Sequence, residues 1–219
     1  MSDTSRIEAC EKKAVEADIM GEGVISSFDR EQSTLYVSAD FYAGERQRRI
    51  YRSREEISDP ISALQWDLYA AYPEIACMAV VRSCYVLLWA TLGRAIPPLN
   101  AFHAEHFYGE IPCTERDPMP FDDFETRQLE LIREAIGHKD VEKVPAILLR
   151  SFGALIFADD MQRLCERIDR LEAVARIAWE VMMKEPRCPY LDYTLLNEYH
   201  YLRNGGARWM EELPDKPEA

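Results

Sequence analysis

Strand-like and helix-like stretches alternate along the chain, which predicts a layered α/β fold in a single domain spanning residues 1–219. Two further observations support this. The chain is long enough for one sizeable core, and 47% of it is hydrophobic against 30% charged, as in an ordinary globular domain. The stretch at 159–184 also carries one unbroken apolar stripe at helical spacing, the kind that packs a long helix against a sheet. No internal repeat or low-complexity linker divides the chain.

The elements follow in order. "EGVISSFD" and "STLYVSA" flank the turn-prone "REQ" and read as a hairpin. The charged run "GERQRRIYRSREE" reads as a solvated edge or loop. "DPISALQWDLYAAYP" is a helix with Asp59 as N-cap, Pro60 in its first turn and Pro73 as its stop. "EIACMAVV" is a buried strand, and "SCYVLLWATLG" a helix closed by Gly93. The turn-rich, aromatic "RAIPPLNAFHAEHFYGEIPC" reads as irregular. "DDFETRQLELIREAIGH" is a helix, and "VPAILLRSFGALIFA" gives two short strands bent near Gly153. The stripe of the long helix is Met161, Leu164, Ile168, Leu171, Val174, Ala175, Ala178 and Met182, with Asp159 and Gln162 placed as a capping box. "YTLLNEYHYLRNGGARWM" is the last helix.

Charge and composition exclude several functions. A formal net charge of −13 argues against a phosphate-backbone binder, which needs a basic face, and equally against an anionic membrane surface. No stretch approaches the roughly 20 apolar residues of a membrane span. The charged N-terminus lacks the apolar core of a signal peptide, so a cytoplasmic location is expected. Cys10, Cys77, Cys84, Cys113, Cys165 and Cys188 have no C-x-x-C spacing and are expected as free buried thiols, with zinc or disulfides as the alternatives.

Three stretches, "LWATLGRAIPPLNAFHAEHFYGEIPCT", "VPAILLRSFGALIFADD" and "TLLNEYHYLRNGGA", together resemble the class II aldolase/adducin family, closest to its L-ribulose-5-phosphate 4-epimerase branch. The resemblance covers about residues 60–210. It implies a three-layer α/β/α sandwich around a mostly antiparallel sheet, assembled as a homotetramer with sites between subunits. In the active family one strand end reads H-T-H-S, whose histidines bind a divalent metal, and a third histidine precedes a glycine on a second strand. The matching residues here are Val80, Val81, Arg82, Ser83 and the pair Phe152-Gly153, with Arg150 at the other histidine of that run. Valine and phenylalanine have no lone pair to offer, and a guanidinium cannot ligate a cation. The acidic residue expected near the metal falls at Ile61, two positions from Asp59. No metal and no other cofactor is expected. The family's phosphate loops correspond to Gly23 to Ser26 and to Ala39 to Phe41, where Val24 replaces an asparagine and Asp40 would repel a phosphate.

A different chemistry remains open to such a cleft. Glu105 stands where the epimerase branch has a catalytic aspartate, and His200 matches a histidine that reaches the neighbouring subunit's site; the tyrosine expected near the chain end is replaced at about Glu211. Arg82 and Arg150 would hold a carboxylate, since a planar guanidinium matches its geometry. Tyr85, Phe102, His106 and Phe152 would complete the walls. Glu105, its pKa raised by apolar surroundings, would act as general acid/base with His103 or His200. The expectation is a metal-independent lyase or isomerase for a small carboxylated, apolar or aromatic substrate, working by decarboxylation, dehydration, enolisation or cyclisation. The alternative is a non-catalytic adducin-like scaffold. A metal site rebuilt from His103, Glu105 and His106 is a third possibility.

Overall fold

A computed structural model describes residues 5, 7, 9, 10, 23–38, 48–115, 124–137 and 139–205. Six strands form one sheet: β1 (Val24–Asp29), β2 (Thr34–Val37), β3 (Arg49–Tyr51), β4 (Cys77–Val81), β5 (Ala146–Leu149) and β6 (Gly153–Ala158). Their order is β3-β2-β1-β4-β6-β5, and every neighbouring pair is antiparallel. The helices are α1 (Pro60–Ala71), α2 (Cys84–Leu92), α3 (Ala101–Phe107), α4 (Phe124–Ile136), α5 (Met161–Lys184) and α6 (Tyr193–Asn204).

Alternation along the strands gives the sheet two apolar faces, hence three layers. Ile25, Ala79, Val81, Leu148, Ala154 and Ile156 point to the side covered by α2 and α5. Val24, Val80, Ile147, Leu149, Leu155 and Phe157 point to the side covered by α1 and α4. All eight residues of the 159–184 stripe are buried on α5, as their spacing predicts.

Helix starts follow their caps. Asp59 accepts from Ser62 N at 2.8 Å with Pro60 in the first turn, and Asn100 accepts from His103 N at 2.9 Å. Gly93 closes α2 in the left-handed conformation, at φ 62°. The cap of α5 is Asp160, one residue later than the capping box predicts; its Oδ1 accepts from Arg163 N at 2.9 Å. Asp159 instead pairs with the Arg163 guanidinium at 2.7 Å.

Two further expectations are corrected. The stretch around His103 is not irregular, because the Asn100 cap starts helix α3 there. The charged run does lie at the sheet edge as expected, where part of it forms β3 and Ile50 stays 47% exposed. Two of the six cysteines are not free: Cys10 and Cys165, 155 residues apart, are joined as a disulfide, because folding brings the N-terminal residues onto α5. Among the described residues no helix is long and apolar enough to cross a membrane.

Candidate active site

The expected site residues divide between the two ends of the sheet. Arg82, Arg150 and Phe152 lie at one end, where Val81 pairs with Ala154 and Leu149 with Gly153. Glu105, His106 and His200 lie at the other, beyond Cys77 and Ala158, about 13 Å away at 3.3 Å per residue.

At the first end the two arginines do not converge. The Arg82 Nε donates to Phe152 O at 3.2 Å, and its guanidinium lies 5.5 Å from the Phe152 ring centroid, beside the α1/α4 face. Arg150 folds the other way. Its Cζ lies 2.6 Å from where a Cβ on Gly93 would stand, so its charge sits at the carbonyl end of α2 and complements that helix dipole. The N-terminus of α2 is also occupied. The Glu172 carboxylate accepts from Ser83 Oγ at 2.6 Å, Tyr85 N at 3.1 Å and Val86 N at 3.3 Å. Tyr85 thus faces α5, where its hydroxyl lies 3.5 Å from Glu180.

A family metal does not fit these positions. Val80 is buried apolar surface, Phe152 offers no lone pair, Arg82 is a cation, and Ile61 is buried while Asp59 caps α1. Among the described residues no three His, Cys, Asp or Glu side chains gather as ligands. The first phosphate-loop counterpart is no loop either: Val24–Asp29 is strand β1, and Ser26 shares a 3.0 Å hydrogen bond with the Tyr69 hydroxyl. Residues 39–41 and Glu211 lie outside the described residues.

The second end holds a cleft of about 350 Å³ between α3, α6 and the start of α5. Helix α3 packs along α6, so Glu105, His106 and His200 share its wall with Lys143, Tyr201 and Arg203. His200 is buried; its Nδ1–H donates to Ala104 O at 3.1 Å, which leaves Nε2 with the lone pair. Burial lowers its pKa. His106 is pushed down to about 4, by burial first and then by the Arg203 and Arg170 charges. Phe102 backs it edge-on at 5.0 Å. Both imidazoles are therefore neutral near pH 7, the form that accepts a proton.

Glu105 does not sit against apolar walls. Its side chain is 33% exposed and stands 3.8 Å from the Arg203 guanidinium. Lys143 Nζ donates to the Tyr201 hydroxyl at 3.2 Å, so that hydroxyl keeps its own proton to give. Arg167, at the back of the cleft, donates to Phe157 O at 2.6 Å and Glu142 O at 3.2 Å, which fixes a positive charge there.

Lys143, Tyr201 and Arg203 were not among the residues expected from sequence. "NEYHYLR" places Tyr201 and Arg203 beside His200 without showing which face the same space, and nothing in "DVEKVPAILL" marks Lys143.

His103, in contrast, does not reach the cleft. It is 1% exposed, and its Nε2–H donates to Gly109 O at 2.7 Å, tying the end of α3 to the following turn. Burial pushes its pKa down to about 4. An unfolded histidine takes up its proton near pH 6.5, so this contribution is complete above pH 6.5 and is lost as pH falls towards 4. On the order of 3 kcal/mol of stability is expected to disappear over that window. Melting curves between pH 7.5 and 4.5 check this. His103→Gln is expected to be markedly less pH-dependent, and an equal slope in both proteins would contradict the assignment.

The profile of the class II aldolase and adducin N-terminal domain matches residues 49–179. An L-fuculose 1-phosphate aldolase structure superimposes with a TM-score of 0.72 at 16% identity, covering 93% of this chain and 98% of that one. The L-fuculose 1-phosphate aldolase from Glaciozyma antarctica PI12 gives 0.71 at 12% identity, with coverages of 91% and 80%. YgbL from Klebsiella pneumoniae, described as a putative aldolase/epimerase/decarboxylase, gives 0.68 at 16% identity, with coverages of 91% and 99%. At these identities the likeness speaks for the fold.

Proposed function

The chain belongs to the class II aldolase and adducin N-terminal domain family, and from that premise we propose that it is a metal-independent lyase or isomerase for a small carboxylated substrate. One observation carries the reading: neutral imidazoles, a hydroxyl donor and cationic side chains share the walls of one cleft. Its size, about 350 Å³, falls at the small end of ligand pockets.

Arg203 and Lys143 hold the carboxylate in this reading, the place first given to Arg82 and Arg150. His106 or the Nε2 of His200 takes a proton from the carbon beside it. The resulting enolate is stabilised by the fixed charge of Arg167, and the Tyr201 hydroxyl returns a proton. Enolisation needs only that exchange. Dehydration, decarboxylation or cyclisation add a leaving group or an internal electrophile from the substrate. The YgbL description, with its aldolase, epimerase and decarboxylase options, lies in the same range of carbon-centred chemistry.

The test is metal analysis of the purified chain together with a thermal-shift screen of small carboxylic acids, with and without chelator. Acids that bind at a hundredfold excess over Kd are expected to raise the melting temperature by about 5 °C or more. The shift is expected to vanish in Arg203→Met and Lys143→Met and to persist in Arg82→Met and Arg150→Met. Equal shifts in the first pair, or stoichiometric tightly held metal, would overturn the proposal.

One observation favours the scaffold reading. Tyr190, Tyr193 and Leu202 are 49%, 69% and 62% exposed, apolar surface of the kind that a partner or second subunit covers. A sedimentation experiment showing self-association with no acid-dependent shift would support the scaffold over the enzyme.

A further inference from the structure

We propose that Cys10 and Cys165 form a reversible thiol–disulfide couple that fastens the N-terminal residues to α5 beside the cleft. The two are joined with a Cα–Cα distance of 5.5 Å. Ile7 and Cys10 are 2% and 1% exposed and belong to the same core as Leu164 and Ile168, so the N-terminal residues meet α5 through a buried apolar contact next to the sulfurs. Cys165 lies within two residues of Arg163, Glu166 and Arg167, all of which line the cleft. The tether therefore reaches the helix turn that forms the cleft wall. This inference does not depend on the chemistry proposed for that cleft.

The exchange is complete with a small-molecule disulfide such as oxidised glutathione. The thiolate of Cys165, the less buried of the two, attacks a glutathione sulfur and releases one glutathione thiolate. The thiolate of Cys10 then attacks Cys165 Sγ in the mixed disulfide and releases the second. Two protein thiols are oxidised, one glutathione disulfide is reduced to two thiols, and the two protons leave with the products. Reduced glutathione reverses both steps. The remaining four cysteines differ in how far they compete. Cys77 is buried, and burial pushes the Cys113 thiol up to about 11, which keeps it protonated; the exposed Cys84 and the half-buried Cys188 are the competitors to be removed.

Closing a loop of 155 residues acts chiefly on the unfolded chain and gives a long loop its large effect. Opening the bond is expected to lower the melting temperature by about 10 °C. The experiment uses the full chain with Cys84→Ser and Cys188→Ser, equilibrated over a range of reduced to oxidised glutathione ratios, acid-quenched and mapped by mass spectrometry. The Cys10–Cys165 peptide is expected to rise with the oxidised fraction, and the melting temperature and overall resistance to trypsin are expected to rise with it. Adding Cys165→Ser should remove all redox dependence. Should that variant not fold, the oxidised and reduced forms of its parent decide the matter alone. Absence of the linked peptide in excess oxidised glutathione, or identical melting and cleavage of both forms, would overturn the proposal.

Discussion

Replacing Glu172 with alanine is expected to lower the melting temperature by about 9 °C. The carboxylate lies on α5 yet serves as the cap of α2, accepting from two backbone N–H groups and the Ser83 hydroxyl. Ser83 is at the cap position, but its own side chain makes no cap hydrogen bond, so the N-terminus of α2 depends on the distant residue. Removal leaves part-buried donors unpaired and deletes an anion from the positive end of a helix dipole. Together these amount to roughly 3 kcal/mol, and 1 kcal/mol moves the midpoint of a chain this long by about 3 °C. Glu172→Gln keeps one acceptor oxygen and is expected to lose about half as much. A Glu172→Ala midpoint within 2 °C of the parent would show that water replaces the carboxylate at no cost.

Strand register explains why one end of the sheet does not behave as the sequence suggests. Reading Arg82 and Arg150 as a pair assumes that two strand ends side by side present their side chains alike. Strands β4 and β5 do end together, but both pair with β6 in registers offset by one residue: Val81 faces Ala154, and Leu148, not Leu149, faces the same Ala154. Arg82 therefore falls in the row of Leu149, on the α1/α4 face, and Arg150 one row further out, towards α2. An offset of one residue is invisible without the pairing. The α5 stripe and the Asp59 and Gly93 helix ends were legible because they depend on spacing and local turn chemistry. The Cys10–Cys165 link and the meeting of Lys143 with Tyr201 were not, since only tertiary packing joins residues 155 and 58 positions apart.

Gly153→Ala is expected to be the most damaging single-methyl change in the sheet, costing about 4 kcal/mol. Gly153 opens β6 at φ 155°, a conformation that L side chains rarely adopt, and strain of that kind costs about 1–3 kcal/mol. A Cβ there would also collide with the carbonyl oxygen of Val81 in β4 and come within 3.0 Å of Arg82 Cγ. Arg82 can swing away. The Val81 carbonyl cannot, because it belongs to a central strand held on both sides, by β1 and by β6. Either β6 lifts away from β4 at the row of Val81 and Ala154, or the turn through Phe152 shifts. Both displace Phe152 from beneath the Arg82 guanidinium, so the glycine holds this strand end together whether or not the end binds anything. Soluble yield and melting temperature are the measurements, with a loss of about 12 °C expected for a domain of this size. Ser151→Gly is the control. Ser151 holds φ 62° in the same turn, and relief of that strain roughly offsets the added freedom of glycine, so a change under about 3 °C is expected. If Gly153→Ala proved as mild as Ser151→Gly, β4 and β6 would not approach as closely as their register requires.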